Sequence, residues 1–226
     1  MHFLVLWMTL YFPILLLWLV LQYLQDILEG NSLQAQQAVV AAVDKGLPIE
    51  DAYIGVLLAA QKEIGRLWHA DEVSVAEEHL VTMTTQKTMA VLAYSAPRQA
   101  PNGGTAVTAC VAGNAHDIGP RALADLYQLA GWRSIFLGAD VPVNDLPAML
   151  DAYEADVVSL TGTLSTQVDQ AADAVRVIRM HCERPVRVLV GGALFDEAPE
   201  VADAIGADAY TADIREALQL SADYLK

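Results

Sequence analysis

The chain has 226 residues, 54% of them hydrophobic, and a formal charge of −15 from 28 Asp plus Glu against 13 Lys plus Arg. That length holds two small domains or one large one, with ample apolar content for packed cores. Phosphate neutralisation needs clustered cations and none occur, which excludes direct nucleic-acid binding. The two cysteines, Cys110 and Cys182, form no CxxC pair, a usage that fits a reducing, cytoplasmic setting.

At the amino terminus Phe3 to Leu21 is nearly all apolar, broken only by Thr9 and Pro13, a length that suffices to cross a bilayer. No Lys or Arg precedes Lys45 and no small-residue cleavage site follows, so the marks of a signal peptide or an oriented span are missing. We therefore read residues 1–17 as an apolar extension and Trp18 to Leu28 as the first buried helix, with membrane contact through residues 3–21 as the alternative. From Trp18 to Tyr94 apolar residues recur at helical spacing, with breaks at Gly30-Asn31-Ser32, Gly46-Leu47-Pro48 and His69-Ala70-Asp71. Four antiparallel helices are predicted over 18–95. Ser32 is placed as the cap of the second, Pro48 in the first turn of the third, and Ser74 with Glu77 as a capping box for the fourth. Residues 96–104, rich in Pro and Gly, read as a linker.

Beyond it, β-type runs at Thr105–Ala112, Arg133–Leu137, Asp156–Leu160, Val186–Val190 and, more weakly, Asp208–Tyr210 alternate with helical stretches. The helices are expected at Pro120–Ala130, Asn144–Ala152, Thr166–Cys182, Glu197–Ile205 and Asp213–Leu225. Alternation of this kind predicts a parallel sheet covered on both faces. The fold class expected is α/β with an α-helical domain: an N-terminal four-helix bundle, then a flavodoxin-like, doubly wound, parallel five-stranded sheet over 105–226. Ligands of such sheets bind beyond the carboxyl ends of the strands, so the loops after the first, third and fourth strands are the expected working edge.

The first of these loops reads Gly113-Asn-Ala-His-Asp-Ile-Gly119. It resembles the DxHxxG signature of the cobalamin-binding domains of methionine synthase, corrinoid methyl-carrier proteins and cobalamin mutases, with His116 and Gly119 matching and Asn114 standing where Asp is usual. Those families continue with Ser-x-Leu and then Gly-Gly. Here 41 residues separate Gly119 from Thr161-Gly-Thr163, and 27 more lead to Gly191-Gly192, so the spacing matches where identities only partly do. The resemblance implies that His116 is the lower cobalt ligand and that Asp117, Ile118 and Gly119 continue the binding loop. It also implies that Thr161 and Thr163 hydrogen-bond the displaced nucleotide tail, and that Gly191 and Gly192 let the backbone approach it. Asp at position 114 would hold the far nitrogen of the histidine. Asn114 accepts the same bond without a charge, which makes His116 a weaker or more easily detached donor.

The helical half carries Trp68-His69, then, with nine residues intervening after Trp68, Glu78-His79. This resembles the W-x9-EH motif of the adenosylcobalamin-dependent photoreceptors related to carotenoid-gene repressors, over about residues 19–226 and without their DNA-binding domain. The resemblance implies that Trp68 roofs the adenosyl group, that Glu78 and His79 contact it, and that His69 takes the upper cobalt position once light breaks the cobalt–carbon bond. Adenosylcobalamin is then the expected cofactor, and a bilin such as biliverdin is a candidate second chromophore, held noncovalently because both cysteines read as elements of the sheet domain. The function expected is a light sensor, not an enzyme, whose output passes through homo-oligomerisation or a partner signalling protein. A corrinoid methyl-carrier subunit is the enzymatic alternative, and Trp68 and His69 argue against it as obstructions of the upper face. A storage or delivery protein is a third reading, for which no feature speaks.

Overall fold

The computed structural model describes residues 2–225, with side chains from residue 12 onward. It divides into two compact units, Met1–Ala96 and Pro97–Lys226.

The first unit is all helix. Its α1 (His2–Leu28) runs through Pro13, so residue 17 falls inside a helix. Met1 and the side chains of residues 2–11 lie outside the described residues, and with them much of the apolar extension and of the anchor expected over 3–21. From Leu16 on, α1 turns one face inward: Leu19, Val20, Tyr23, Leu24 and Ile27 are buried, and a Cβ on Gly55 would lie 2.9 Å from Leu16. Ile14, Leu15, Leu17, Trp18 and Leu21 stay more than half exposed. Among the described residues no helix is long and apolar enough to cross a membrane.

The second helix, α2 (Ser32–Asp44), is preceded by Asn31, and no side chain caps it. The cap expected of Ser32 is therefore absent; its hydroxyl accepts instead from Thr84 at 3.1 Å. Pro48 stands just before α3 (Ile49–Asp51), not within its first turn. A π-helical stretch, Ala52–Leu58, joins α3 to α4 (Ala59–His69). Its wider turn buries Tyr53, Val56 and Leu57, and the Tyr53 hydroxyl donates to the Met89 carbonyl at 2.9 Å. The last helix, α5 (Val75–Ser95), starts at the expected capping box. Glu77 N–H donates to Ser74 Oγ and Ser74 N–H to the Glu77 carboxylate; that backbone bond is the main reason the Glu77 carboxyl sits below its ordinary range.

The second unit contains β1 (Thr105–Cys110), α6 (Ile118–Leu129), β2 (Arg133–Gly138), α7 (Leu146–Ala152), β3 (Val157–Thr161), α8 (Val168–His181), β4 (Arg187–Gly191), α9 (Ala193–Glu197), α10 (Glu200–Ala204), β5 (Ala209–Tyr210) and α11 (Ile214–Tyr224). Its five strands are all parallel in the order β2-β1-β3-β4-β5, the flavodoxin-like order. Every residue of β1 is buried, as a strand flanked on both sides and covered on both faces requires. One face packs Val107, Val158 and Val188 against Leu150, Val175 and Ile178. The other packs Ala106, Val157 and Leu189 against Leu123, Tyr127 and Trp132.

Three differences from expectation have local causes. The helix expected at Pro120 begins two residues earlier, with Asp117 at its N-cap position. Of the helix expected over Glu197–Ile205 only α10 forms, opened by Pro199, and a separate α9 ends at Glu197 before it. The segment 96–104 is laid along this unit and is no free tether. Gln99 and Asn102 N–H groups donate to the Leu129 and Gly131 carbonyls, and Gly131, at φ +86°, leaves room for the Ala100 carbonyl where a Cβ would collide.

Candidate functional site

In the order β2-β1-β3 the chain leaves β1 towards opposite sides of the sheet, and the crevice between the loops after β1 and β3 is the switch point where such folds bind ligands. Asn114 sits there fully buried, while Gly113, Ala115 and His116 are exposed. The Asn114 amide nitrogen donates to the Thr161 carbonyl at 2.8 Å. Its oxygen therefore faces the other way, accepting from the His116 N–H at 3.1 Å and lying 3.2 Å from His116 Nδ1. An amide oxygen only accepts. Nδ1 is consequently the donor, and in the neutral ring this leaves the lone pair on Nε2, the tautomer a metal-ligating imidazole needs.

This arrangement supplies a reason for Asn at position 114. Asp has no proton to donate to Thr161, and its carboxylate would be buried against that carbonyl oxygen. Asn serves both neighbours.

Below the loop, the face of the sheet under α6 and α11 carries hydroxyls in register: Thr108 opposite Ser159, then Cys110 opposite Thr161, with Gly191 beside Thr161. Tyr127 reaches Ser159 at 3.4 Å and Ser221 at 2.5 Å, while the buried Thr108 hydroxyl has no hydrogen-bond partner. A Cβ on Gly119 would meet nothing within 4 Å. Gly191 and Gly192 are different. A Cβ on Gly191 would lie 2.9 Å from the Thr211 carbonyl, and one on Gly192 would collide with the Gly162 carbonyl, so packing of the strand ends already demands both glycines. Thr163 offers its backbone N–H to Gln167 at 2.8 Å. Asp117 is engaged by Arg121 at 2.9 Å, whose guanidinium lies over the Phe136 ring, and Ile118 opens α6.

The Cys110 thiol donates to the His116 carbonyl at 3.7 Å. Burial, with a smaller contribution from Asp117, pushes it up to about 12. Iodoacetamide at pH 8 should leave Cys110 unlabelled in the folded chain, as mass spectrometry of its tryptic peptide would show; labelling at the rate of the unfolded chain would contradict this placement.

The sequence pointed to the loops after β1, β3 and β4 and passed over the one after β2. That loop lines a cleft of about 430 Å³ with Leu137, Asp140, Val141, Pro142, Asp145 and Met149 among its walls. The Asp140 carboxylate accepts from Gly113 N–H at 2.6 Å and its own N–H donates to the Asn114 carbonyl. The available signal was the position of Gly138-Ala-Asp-Val-Pro142 at the carboxyl end of the strand beside β1.

In the helical unit, α4 ends on Trp68 and His69, whose rings stand 4.7 Å apart. Trp68 is 41% exposed, so it is not the core aromatic its hydrophobicity allows. Five residues, 70–74, turn the chain into α5, where Glu78 and His79 lie 3.7 Å apart at the same end of the unit. Glu78 also accepts from Thr82 at 2.7 Å, beside a polar seam in which Gln61 donates to Thr85, and Thr85 and Thr88 meet the buried Tyr23 hydroxyl. Burial raises the Tyr23 phenol above its ordinary value against the opposing effect of those hydroxyls. Among the described residues no cluster of three His, Cys, Asp or Glu side chains is set to hold a bare metal ion, so His116 and His69 are single imidazoles in separate units.

Comparison with known proteins places this geometry in context. The chain is 26% identical over 210 residues to the dimethylamine corrinoid protein 2 of Methanosarcina acetivorans, covering 90% of this chain and 96% of that one. It is 30% identical over 147 residues to the HTH-type transcriptional repressor CarH of Myxococcus xanthus, covering 65% of this chain and 48% of that one. Its fold is shared with the monomethylamine corrinoid protein of Methanosarcina barkeri, at a TM-score of 0.75 and 22% identity over 89% of this chain and 96% of that one. A second B12 binding domain profile matches the helical residues 19–93. The profile of the B12 binding domain matches residues 104–219, more than half of the chain, and the protein belongs to that cobalamin-binding family.

Proposed function

We propose that the protein is a light sensor that holds adenosylcobalamin, with His116 as the lower cobalt ligand and with Trp68, His69, Glu78 and His79 serving the upper face. Three features of the sheet unit fit the group: an exposed Nε2 lone pair fixed by Asn114, an orphaned Thr108 hydroxyl on a hydroxyl-bearing face, and open space at Gly119. When bound, adenosylcobalamin supplies a cobalt–carbon bond that visible light breaks. Asn114 holds the His116 proton on Nδ1, Thr161 and Thr163 offer hydroxyls to the nucleotide tail, and Trp68 gives an apolar roof.

The observation that carries the sensor reading is the exposed Trp68 beside His69 at the end of α4, ring centroids 4.7 Å apart and planes tilted by 43°. An indole 41% exposed beside an imidazole at a helix end offers apolar surface and a donor nitrogen together, which suits a flat cofactor face. His69 then provides a bond available in only one state, the element a two-state switch requires. Output passes through self-association or a partner signalling protein. A bilin, where present, is held noncovalently, since burial raises the Cys110 thiol to about 12 and the Cys182 thiol to about 11.

A corrinoid methyl carrier is the second reading, favoured by the alignment along 96% of a dimethylamine corrinoid protein. Because the bond itself is photolabile on any protein, what separates the two is a light state whose spectrum depends on His69. The sensor reading expects the visible spectrum of the adenosylcobalamin complex to change irreversibly on illumination in minutes, and expects His69→Ala to give a different light-state spectrum. A light-stable spectrum sinks the sensor and leaves the carrier. A light-state spectrum identical in His69→Ala removes His69 from its role.

A further inference from the structure

The loop that carries His116 has little packing to fix it. Gly113, Ala115 and His116 are exposed, and a Cβ on Gly113 would touch nothing within 4 Å. Besides the buried Asn114 amide on Thr161, a pair of side chains from two other loops holds its Gly113 peptide. On one side the Asp140 carboxylate takes the Gly113 N–H at 2.6 Å. On the other, Gln167 Nε2 donates to the Gly113 carbonyl at 2.9 Å. Gln167 is 4% exposed, and its oxygen accepts from both Thr163 and Leu164 N–H, at 2.8 and 3.0 Å. A single buried amide thus ties the loop after β3 to the loop after β1. Asp140 holds φ +49°, a left-handed conformation that is uncommon outside glycine, and in it spans side chain to Gly113 and backbone to Asn114.

From this geometry we infer that Gln167 and Asp140 are positioning residues that clamp the Gly113 peptide and thereby set how strongly His116 ligates cobalt. The inference rests on the reading of His116 as the lower ligand. Neither residue touches the His116 ring. They act through Gly113 and Asn114, whose amide fixes the imidazole. With the clamp in place the imidazole is pre-organised; without it the loop samples other positions, and ordering it again opposes ligation. Protonation of the ring competes with ligation, so weaker ligation is lost at higher pH.

The test is the visible spectrum of the full chain loaded with adenosylcobalamin in the dark, followed from neutral to acid pH. In the wild type the histidine-bound spectrum disappears at a midpoint that serves as the reference. Gln167→Met and Gln167→Glu should raise that midpoint by about one pH unit, equivalent to ligation weakened about tenfold, while cobalamin stays bound. Gln167→Glu keeps the acceptor for Thr163 and Leu164 but buries a carboxylate beside the Gly113 carbonyl, so the variants at the exposed Asp140 guard against a Gln167 variant that fails to fold. Asp140→Gly should shift the midpoint in the same direction, and Asp140→Asn, which keeps the acceptor, should restore it. Unmoved midpoints in both Gln167 variants overturn the clamp and leave His116 ligation standing. A wild type with no histidine-bound spectrum at any pH overturns both.

Discussion

Replacing His116 with Ala should abolish the histidine-bound spectrum of the adenosylcobalamin complex and weaken cobalamin binding by no less than about tenfold. The size follows from what the ring does. Outer partners of a metal-bound histidine are alone worth about 10- to 100-fold in affinity, so loss of the donor atom costs at least that much. The fold should survive, because His116 is exposed on a loop and packs against no core residue of either face. Equilibrium dialysis and circular dichroism on the same preparation separate the two effects. A variant that binds and absorbs like the wild type would remove His116 from the site.

The second large effect is the substitution that makes the loop look more like its relatives. Asn114→Asp should destabilise the protein at pH 7 by about 2 kcal/mol or more, since it buries a carboxylate against the Thr161 carbonyl and removes the donor that bonded it. Burial raises the folded-state pKa of the new carboxyl above its unfolded value of about 3.9. The deficit is therefore absent below that unfolded value, where both states are protonated, and grows as pH rises from it towards the folded pKa. Urea unfolding at pH 4 and pH 7 measures it. Equal stability of variant and wild type at pH 7 would show that the amide is not needed at Thr161.

These two residues also show how far the sequence could be read. The five strands and the switch point followed from alternating runs such as Thr105–Cys110 and Val157–Thr161, because a strand buried on both faces leaves an unmistakable apolar block. The motif spacing placed His116 and Thr161 on one sheet edge for the same reason. What spacing cannot carry is which side chain holds a loop still. Gln167 and Asp140 lie 54 and 27 residues from Gly113, and nothing periodic marks them. The reading of Ser32 as a cap illustrates a second limit. Residue type was right for the role, but a tertiary partner, Thr84, claims that hydroxyl. Trp68 is the converse: its composition suits a core, and only its 41% exposure on α4 separates it from one.

The identity of the lower ligand is decided most directly by the nuclear spin of the nitrogen bound to cobalt. Protein grown on ¹⁵N is loaded with unlabelled cobalamin, the cobalt is reduced to the paramagnetic divalent state, and the electron paramagnetic resonance spectrum is recorded beside that of the unlabelled protein. Ligation by His116 Nε2 predicts that the threefold nitrogen splitting of the unlabelled sample becomes twofold in the labelled one, and that His116→Ala loses this change. A threefold splitting that persists in the labelled protein would mean that the cofactor's own base occupies the position, and would contradict the account.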